Sequence, residues 1–251
     1  MTLTTLANTP NESVPNDLTV AWFFRTKTTK GMEVVKWDWR SPPPVENFAP
    51  VRMPRSGANN RHIPASVFSM TNGDVVHLES GLEHDLFRKL DRDPEITFIG
   101  SQPLRLSWVD ADHIPDLLTV HRDTRVTVWD VRADDEQDAD FAYKSGITRD
   151  ACAAVGWRYE VFAGYDTIER LNLMWLTGFR QRPEWADRHE RTIRDVAGTG
   201  PVTVGSLFGR DDGNGELKAV VWHLIWSGVL DVDMAAAWDL DTEIVVSGAT
   251  T

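Results

Sequence analysis

A chain of 251 residues with 38 acidic and 26 basic side chains carries a formal charge of -12 and is long enough to bury its own core. Its 41% hydrophobic and 25% charged content excludes a mainly disordered chain, and the single cysteine, Cys152, excludes a disulfide framework and a multi-cysteine zinc site, so a reducing, cytoplasmic setting is expected. The sequence has no apolar run of membrane-spanning length and no basic start followed by an apolar stretch, which argues against a span or export, and its acidity argues against unspecific nucleic-acid binding.

The charge is uneven. Residues 1–78 hold 8 basic and 6 acidic side chains, residues 79–168 hold 10 and 19, and residues 169–251 hold 8 and 13. In the first segment Arg25, Lys27, Lys30, Lys36, Arg40, Arg52, Arg55 and Arg61 interleave with Trp22, Trp37 and Trp39. Two readings stand: solvated strands of a small sheet, or a lobe whose cations contact phosphates while the tryptophans anchor or stack.

In chain order, residues 1–18 are polar and aperiodic and read as a disordered tail, with order beginning near Leu18. Ser41-Pro-Pro-Pro and residues 53–62 read as loops. Leu82, Leu86, Phe87 and Leu90 then recur at helical spacing, capped by Ser80 and stopped by Asp93-Pro94. Projection of that helix puts Glu79 and Glu83 inside the apolar arc and Asp85, Arg88, Lys89 and Asp91 opposite it. A carboxylate on a core-facing stripe is paired, lies at a cleft or binds a cation, because burying it alone is costly.

Strands are expected at 96–99, 104–108, 114–120 and 126–132, the last with Val126, Val128, Asp130 and Arg132 on one face. A helix over roughly 136–155 with Gly156 as its cap, followed by a strand at 157–162, completes a βαβ unit, so an α/β layer with a mixed sheet is expected. The acidic run from Asp134 to Asp140 reads as the solvated first turn of that helix. Beyond a helix near 168–180, helices at 187–197, 203–209 and 216–227 precede two strands at 229–233 and 242–246 that could pair as the wing of a winged helix. The last of these helices carries one Lys and no Arg, which suits a protein partner better than a phosphate backbone. His77, His113 and His121 lack metal-ligand spacing, Cys152 reads as core, and Trp157, Trp175, Trp222 and Trp226 read as packing anchors.

One ordered pattern carries chemistry: Glu83 on a helix, Asp116 after Pro115, then Asp130 two residues before Arg132. Carboxylates that hold Mg²⁺ to activate water, beside a cation for the phosphate, are what phosphodiester hydrolysis requires. By spacing alone the pattern is equally that of a surface ion pair.

The surrounding blocks, HLESGLEHDLFRKLDRDPEI, SQPLRL, HIPDLLTV and VTVWDVR, resemble the TnsA endonuclease subunits of heteromeric transposases, members of the PD-(D/E)xK restriction-like nucleases. The helix leading to Gly156-Trp157, the segment from Gly200 to Gly205 and HLIWSGVLDVDM extend the resemblance to about residues 50–246. It implies a restriction-endonuclease-like nuclease domain over 19–180 and a small winged-helix domain over 181–251. Carried over by position, the metal ligands for Mg²⁺, or Mn²⁺ as substitute, fall on Glu83, Asp116 and Asp130, with Glu79 as a fallback for Glu83. Arg132 stands where the family has Lys; it stays charged and prefers bidentate phosphate contact, whereas lysine can orient the attacking water.

The same resemblance implies nicking of the 5′ strands at the ends of a mobile element in double-stranded DNA. A DDE-type transposase subunit would act on the 3′ ends, and an AAA ATPase regulator would dock on the C-terminal domain. Two other readings remain: a nuclease fold without catalysis that bridges transposase and regulator, and a stand-alone restriction or repair nuclease. The acidity then predicts that the chain depends on a partner to reach DNA.

Overall fold

The computed structural model describes residues 19–28, 31–37, 44–52 and 64–248. The expected tail at 1–18, the Ser41-Pro-Pro-Pro loop, the irregular segment at 53–62, and Lys30, Trp39, Arg40, Arg55 and Arg61 lie outside the described residues.

The fold is mixed α/β. An antiparallel sheet is built from β1 (Ala21–Thr28), β2 (Gly31–Trp37), β3 (Phe48–Ala49), β7 (Leu104–Ser107) and β8 (Asp112–His113). Three cations of the basic segment have protein partners in and beside that sheet. Arg25 donates to the Pro50 carbonyl at 3.1 Å, Lys27 lies 3.6 Å from Asp74, and Arg52 lies 2.5 Å from Glu79. Trp22 is buried edge-on against Trp157, with ring centroids 5.7 Å apart. These contacts are those of a packed sheet.

The hairpin β4 (Ala65–Ser69) and β5 (Asp74–Leu78) leads into α1 (Gly81–Arg92). The central sheet runs β11 (Arg158–Phe162), β10 (Val126–Val131), β9 (Leu117–His121), β6 (Ile96–Ser101). Strands β10 and β11 are parallel and joined through α2 (Ala139–Ala154), while the other neighbours are antiparallel, so the expected βαβ unit and mixed sheet are present. Alternation along β10 sorts its two faces. Val126 and Val128 join a core with Leu118, Ile147 and Cys152, whereas Trp129 and Val131 pack on a second core with Leu86, Leu90, Ile99 and Phe162.

Several boundaries differ from the sequence reading. The strand expected over 114–120 begins only at Leu117, after Pro115, which has no N–H to give to a ladder. Residues 112–113 pair with β7, while β9 begins at Leu117, which leaves Asp116 at the bend rather than in a strand. Helix α2 starts at Ala139, with the Asp138 side chain accepting from the Phe141 N–H at 2.8 Å, and Asp134–Glu136 form a separate 3-10 turn. Asp85 and Asp91, expected on the solvent side of α1, are both buried. Asp85 pairs with Arg88 at 2.7 Å and Arg170 at 2.5 Å, and Asp91 accepts from Ser69 Oγ at 2.6 Å and from the Met70 and Thr71 N–H groups.

The C-terminal elements are α3 (Thr167–Thr177), α4 (Ala186–Ala197), β12 (Val202–Thr203), α5 (Val204–Phe208), α6 (Glu216–Trp226), β13 (Leu230–Asp231) and β14 (Glu243–Val246). The three strands form a small antiparallel sheet in the order β12-β14-β13. A third core gathers Leu173 and Leu176 of α3 with Ile193, Leu207, Val220, Val221, Leu224 and Ile244. Helix α6 is apolar almost all round and is buried accordingly: Leu217, Val220, Val221, His223, Leu224, Ile225 and Trp226 are all inaccessible. The helix expected to offer a partner surface is thus a core helix. Trp175, expected as a packing anchor, lies against Phe179 and edge-on to Trp222, with ring centroids 5.6 and 6.1 Å apart, yet stays 55% exposed beside exposed Leu171 and Met174. Among the described residues no helix is long and apolar enough to cross a membrane.

Candidate active site

Glu83 owes its place to the start of α1. Ser80 is extended, and its hydroxyl accepts from the Glu83 N–H at 3.0 Å, while Glu83 Oε2 reaches back to accept from the Glu79 N–H at 2.9 Å. The Ser80 cap satisfies one orphan donor of the helix end, and the bond back to Glu79, the residue before the cap, fixes the Glu83 carboxylate at the first turn. Glu83 is buried, and that burial raises its pKa above the ordinary value, against the lowering effect of the Glu79 N–H. Glu79 lies before the cap and forms its ion pair with Arg52, the bland role that its sequence position also allowed.

Asp116 is pinned at the bend by three bonds. Its N–H donates to the Trp129 carbonyl at 3.0 Å, its carbonyl accepts from the Gln102 N–H at 2.8 Å, and Oδ2 accepts from the Val131 N–H at 2.8 Å. Gln102 makes its contact from the left-handed region, with φ of 45°, a conformation that costs a non-glycine residue and is maintained here by the surrounding bonds. The Asp116 carboxyl is raised well above the usual range, first by burial and then by the negative charges of Glu83 and Asp130. Those three acids, from a helix, a bend and a strand, therefore lie within electrostatic reach of one another.

Asp130 is 1% exposed, and its oxygens are already engaged. His113 Nε2 lies 3.0 Å from Oδ1 and 2.8 Å from Oδ2, and the Tyr159 hydroxyl donates to Oδ2. Tyr159 is also 3.0 Å from Ser145 Oγ, and burial followed by the Asp130 charge pushes its phenol pKa up. The same two causes move the thiol of fully buried Cys152 to about 12, which keeps it an inert core group. His113 lacks metal-ligand spacing in the sequence and Tyr159 carries no motif; for Tyr159 the one available signal is the parallel pairing of β10 with β11, which sets Asp130 beside Val161 and places Tyr159 two register positions away, on the same face.

Arg132 follows the end of β10. Its Nε donates to the Glu136 carbonyl at 2.9 Å, and its guanidinium lies 5.9 Å from the Phe141 ring centroid. Glu79, Glu83, Asp116, Asp130 and Arg132 all line one cleft of about 700 Å³, which His113 and Arg52 also border.

Donor chemistry decides whether these groups suit a divalent cation. Glu83 and Asp116 each commit one carboxylate oxygen to a backbone N–H, and neither Oε1 nor Oδ1 accepts any of the described hydrogen bonds. Mg²⁺ keeps several waters and is commonly bound through one or two carboxylates together with substrate phosphates, which this pair fits. Among the described residues no three His, Cys, Asp or Glu side chains gather in a cation-holding arrangement, because Asp130 is turned to His113 and Tyr159.

No protein-family model matches the chain, and no curated protein compared with it is a significant match.

Proposed function

We propose that the protein is a divalent-metal-dependent DNA endonuclease acting by phosphodiester hydrolysis. The observation that carries this reading is the convergence of Glu83, Asp116, Asp130 and Arg132, up to 49 positions apart in the chain, on one cleft where the like charges of Glu83 and Asp130 raise the Asp116 carboxyl. A concentration of acid that pushes its own members toward protonation is relieved by a cation.

Glu83 and Asp116 hold the ion through their uncommitted oxygens, and Asp130, braced by His113 and Tyr159, supplies the negative field behind them. Bound Mg²⁺ or Mn²⁺ supplies Lewis acidity at the phosphate and lowers the pKa of a bound water. Arg132, anchored at Nε by the Glu136 carbonyl, offers its Nη groups to a phosphate oxygen across the cleft. Because its carboxyl is raised, protons and a cation would compete for Asp116 as the pH falls.

The larger context is also proposed. The order β6, β9, β10, β11 between α1 and α2 supports a restriction-endonuclease-like core over 19–180, and the succession α4, β12, α5, α6, β13, β14 supports a winged helix over 181–251. Together with the motif order, this favours a TnsA-like subunit that nicks the 5′ strands at mobile-element ends in the cytoplasm. A DDE-type transposase subunit and an AAA ATPase regulator would be its partners, and they would supply the targeting that an acidic chain lacks. The test is Mg²⁺- or Mn²⁺-dependent nicking of end-containing DNA alongside the transposase: the parent cuts, Glu83→Ala and Asp116→Ala do not. Undiminished cutting by either variant rejects the site.

One observation favours a second reading, a nuclease fold that bridges its partners without cutting: Asp130 is saturated by protein groups and the expected lysine is Arg132. That reading predicts complex formation without divalent-ion binding.

A further inference from the structure

Away from the candidate active site, a cavity of about 320 Å³ lies between the β4–β5 hairpin, α1, the end of α3 and α6. Phe68, His84, Arg88, Thr177 and Arg180 border it. The Nε atoms of both Arg88 and Arg180 are buried without an acceptor. A guanidinium presents five donors and no acceptor; the Arg180 side chain makes no hydrogen bond among the described residues, so it borders the cavity with its donors uncommitted, whereas Arg88 commits Nη1 to Asp85 at 2.7 Å and lies 3.4 Å from His84 Nδ1 through Nη2.

The nearby acids, of which Asp91 also borders the cavity, are engaged with other donors. Asp85 accepts from Arg88 Nη1 at 2.7 Å and from Arg170 Nε at 2.5 Å. Asp91 accepts from Ser69 Oγ at 2.6 Å and from the Met70 and Thr71 N–H groups at 3.0 Å. In a chain of net charge -12, Arg180 makes no ion pair among the described residues. Arg180, Asp91 and Trp226 also border an adjoining cleft that adds Arg92, Asp93 and Arg122. Arg92 is spent on the Ile225 and Trp226 carbonyls, whereas Arg122 commits only Nε, to the Pro94 carbonyl at 2.6 Å. The cations therefore continue past the cavity as a short track.

We propose that this cavity binds a phosphate group, with Arg88 and Arg180 donating to its oxygens from two sides. The site does not depend on the nuclease reading. Guanidinium forks match tetrahedral oxyanions, and the phosphate can belong to a nucleic-acid backbone following the track or to a free phosphorylated small molecule.

The test is titration of the full chain with inorganic phosphate, at ionic strength matched with chloride, by calorimetry and by thermal shift. The parent binds, Arg180→Gln loses about tenfold or more in affinity, the worth of one charge-assisted hydrogen bond, and Arg180→Lys falls between them. Both variants are checked for native circular dichroism, and because Arg180 holds no ion pair the lysine variant keeps the test usable if the glutamine variant unfolds. Duplex DNA binding over a salt series separates the sources. A weaker affinity for Arg180→Gln with a salt slope smaller by about one assigns the phosphate to the nucleic-acid backbone, and unchanged DNA binding with lost inorganic phosphate assigns it to a free phosphoanion. Failure of the parent to bind phosphate, or equal binding by parent and both variants, overturns the site.

Discussion

His113 Nε2 sits 2.8 Å from the Asp130 Oδ2 that also accepts the Tyr159 hydroxyl, so one oxygen of a fully buried carboxylate is gripped from β11, the parallel neighbour of its own strand, and from β8 of the other sheet. Tyr159→Phe removes one of these donors and leaves Ser145 Oγ without its partner. Hydrogen bonds to a charged group contribute about 1.5–3 kcal/mol, so the variant is expected to lose roughly that much stability. Urea unfolding at neutral pH measures it, and an unchanged midpoint would show that the bond contributes nothing.

Asp116→Asn should stabilise the protein in chelator. A carboxyl whose pKa is raised on folding costs the native state free energy once it ionises, so the cost is present above the folded pKa and fades as the pH falls and Asp116 takes a proton. Removing the charge at pH 8 is expected to raise the melting temperature by a few degrees, about 1 kcal/mol for a chain of this size, and the gain should shrink in acid. Added Mg²⁺ should raise the parent's melting temperature and leave that of Asp116→Asn unchanged. A variant that melts lower than the parent at pH 8 contradicts the like-charge account.

What could be read from the sequence follows from how locally each feature is determined. Helix α1 and its Ser80 cap, the βαβ unit and the solvated acidic run were legible because periodicity, capping chemistry and strand alternation act over a few residues. Glu83, Asp116 and Asp130 were legible as candidates, and the structure brings them to one cleft. The partners that tie up Asp130 were not, since Tyr159 arrives from 29 positions away by the pairing of β10 with β11, and His113 from 17 positions away in the other sheet. Asp85 and Asp91 were misread as solvent-facing for the same reason: Arg170 and the β4–β5 turn, which cover them, lie far along the chain. The single Lys in α6 was rightly noticed, but all-round apolarity is the mark of a core helix, and it outweighed the absence of arginine as a guide to exposure.

Arg132→Lys exchanges a fork tied to the Glu136 carbonyl for a compact ammonium. If the site is a weakened nuclease, Mn²⁺-dependent nicking rises, by about tenfold if one catalytic contact is restored. No change in a protein that also fails to bind Mn²⁺ supports the bridging reading.

Thr124 sits in the exposed turn between β9 and β10 with φ of 67°. A β-branched residue is strained there, so Thr124→Gly is expected to stabilise the fold by about 0.5–1 kcal/mol despite the added freedom of the unfolded chain. Thermal unfolding decides the sign, and a lower melting temperature contradicts the strain argument.

Arg92→Met deletes bonds to the Ile225 and Trp226 carbonyls at the end of α6, at 2.8 and 3.3 Å, and is expected to cost about 2–3 kcal/mol because those acceptors are left in a buried setting. Hydrogen exchange across residues 216–231 reads the loss locally, and unaltered protection there would reject it.

That same arginine makes α1 a strut. The helix is 12 residues long, about 18 Å, stiff over that span, and it carries Glu83 in its first turn and the grip on α6 in its last. One rigid element thus ties the cleft carboxylate at its first turn to the C-terminal core at its last.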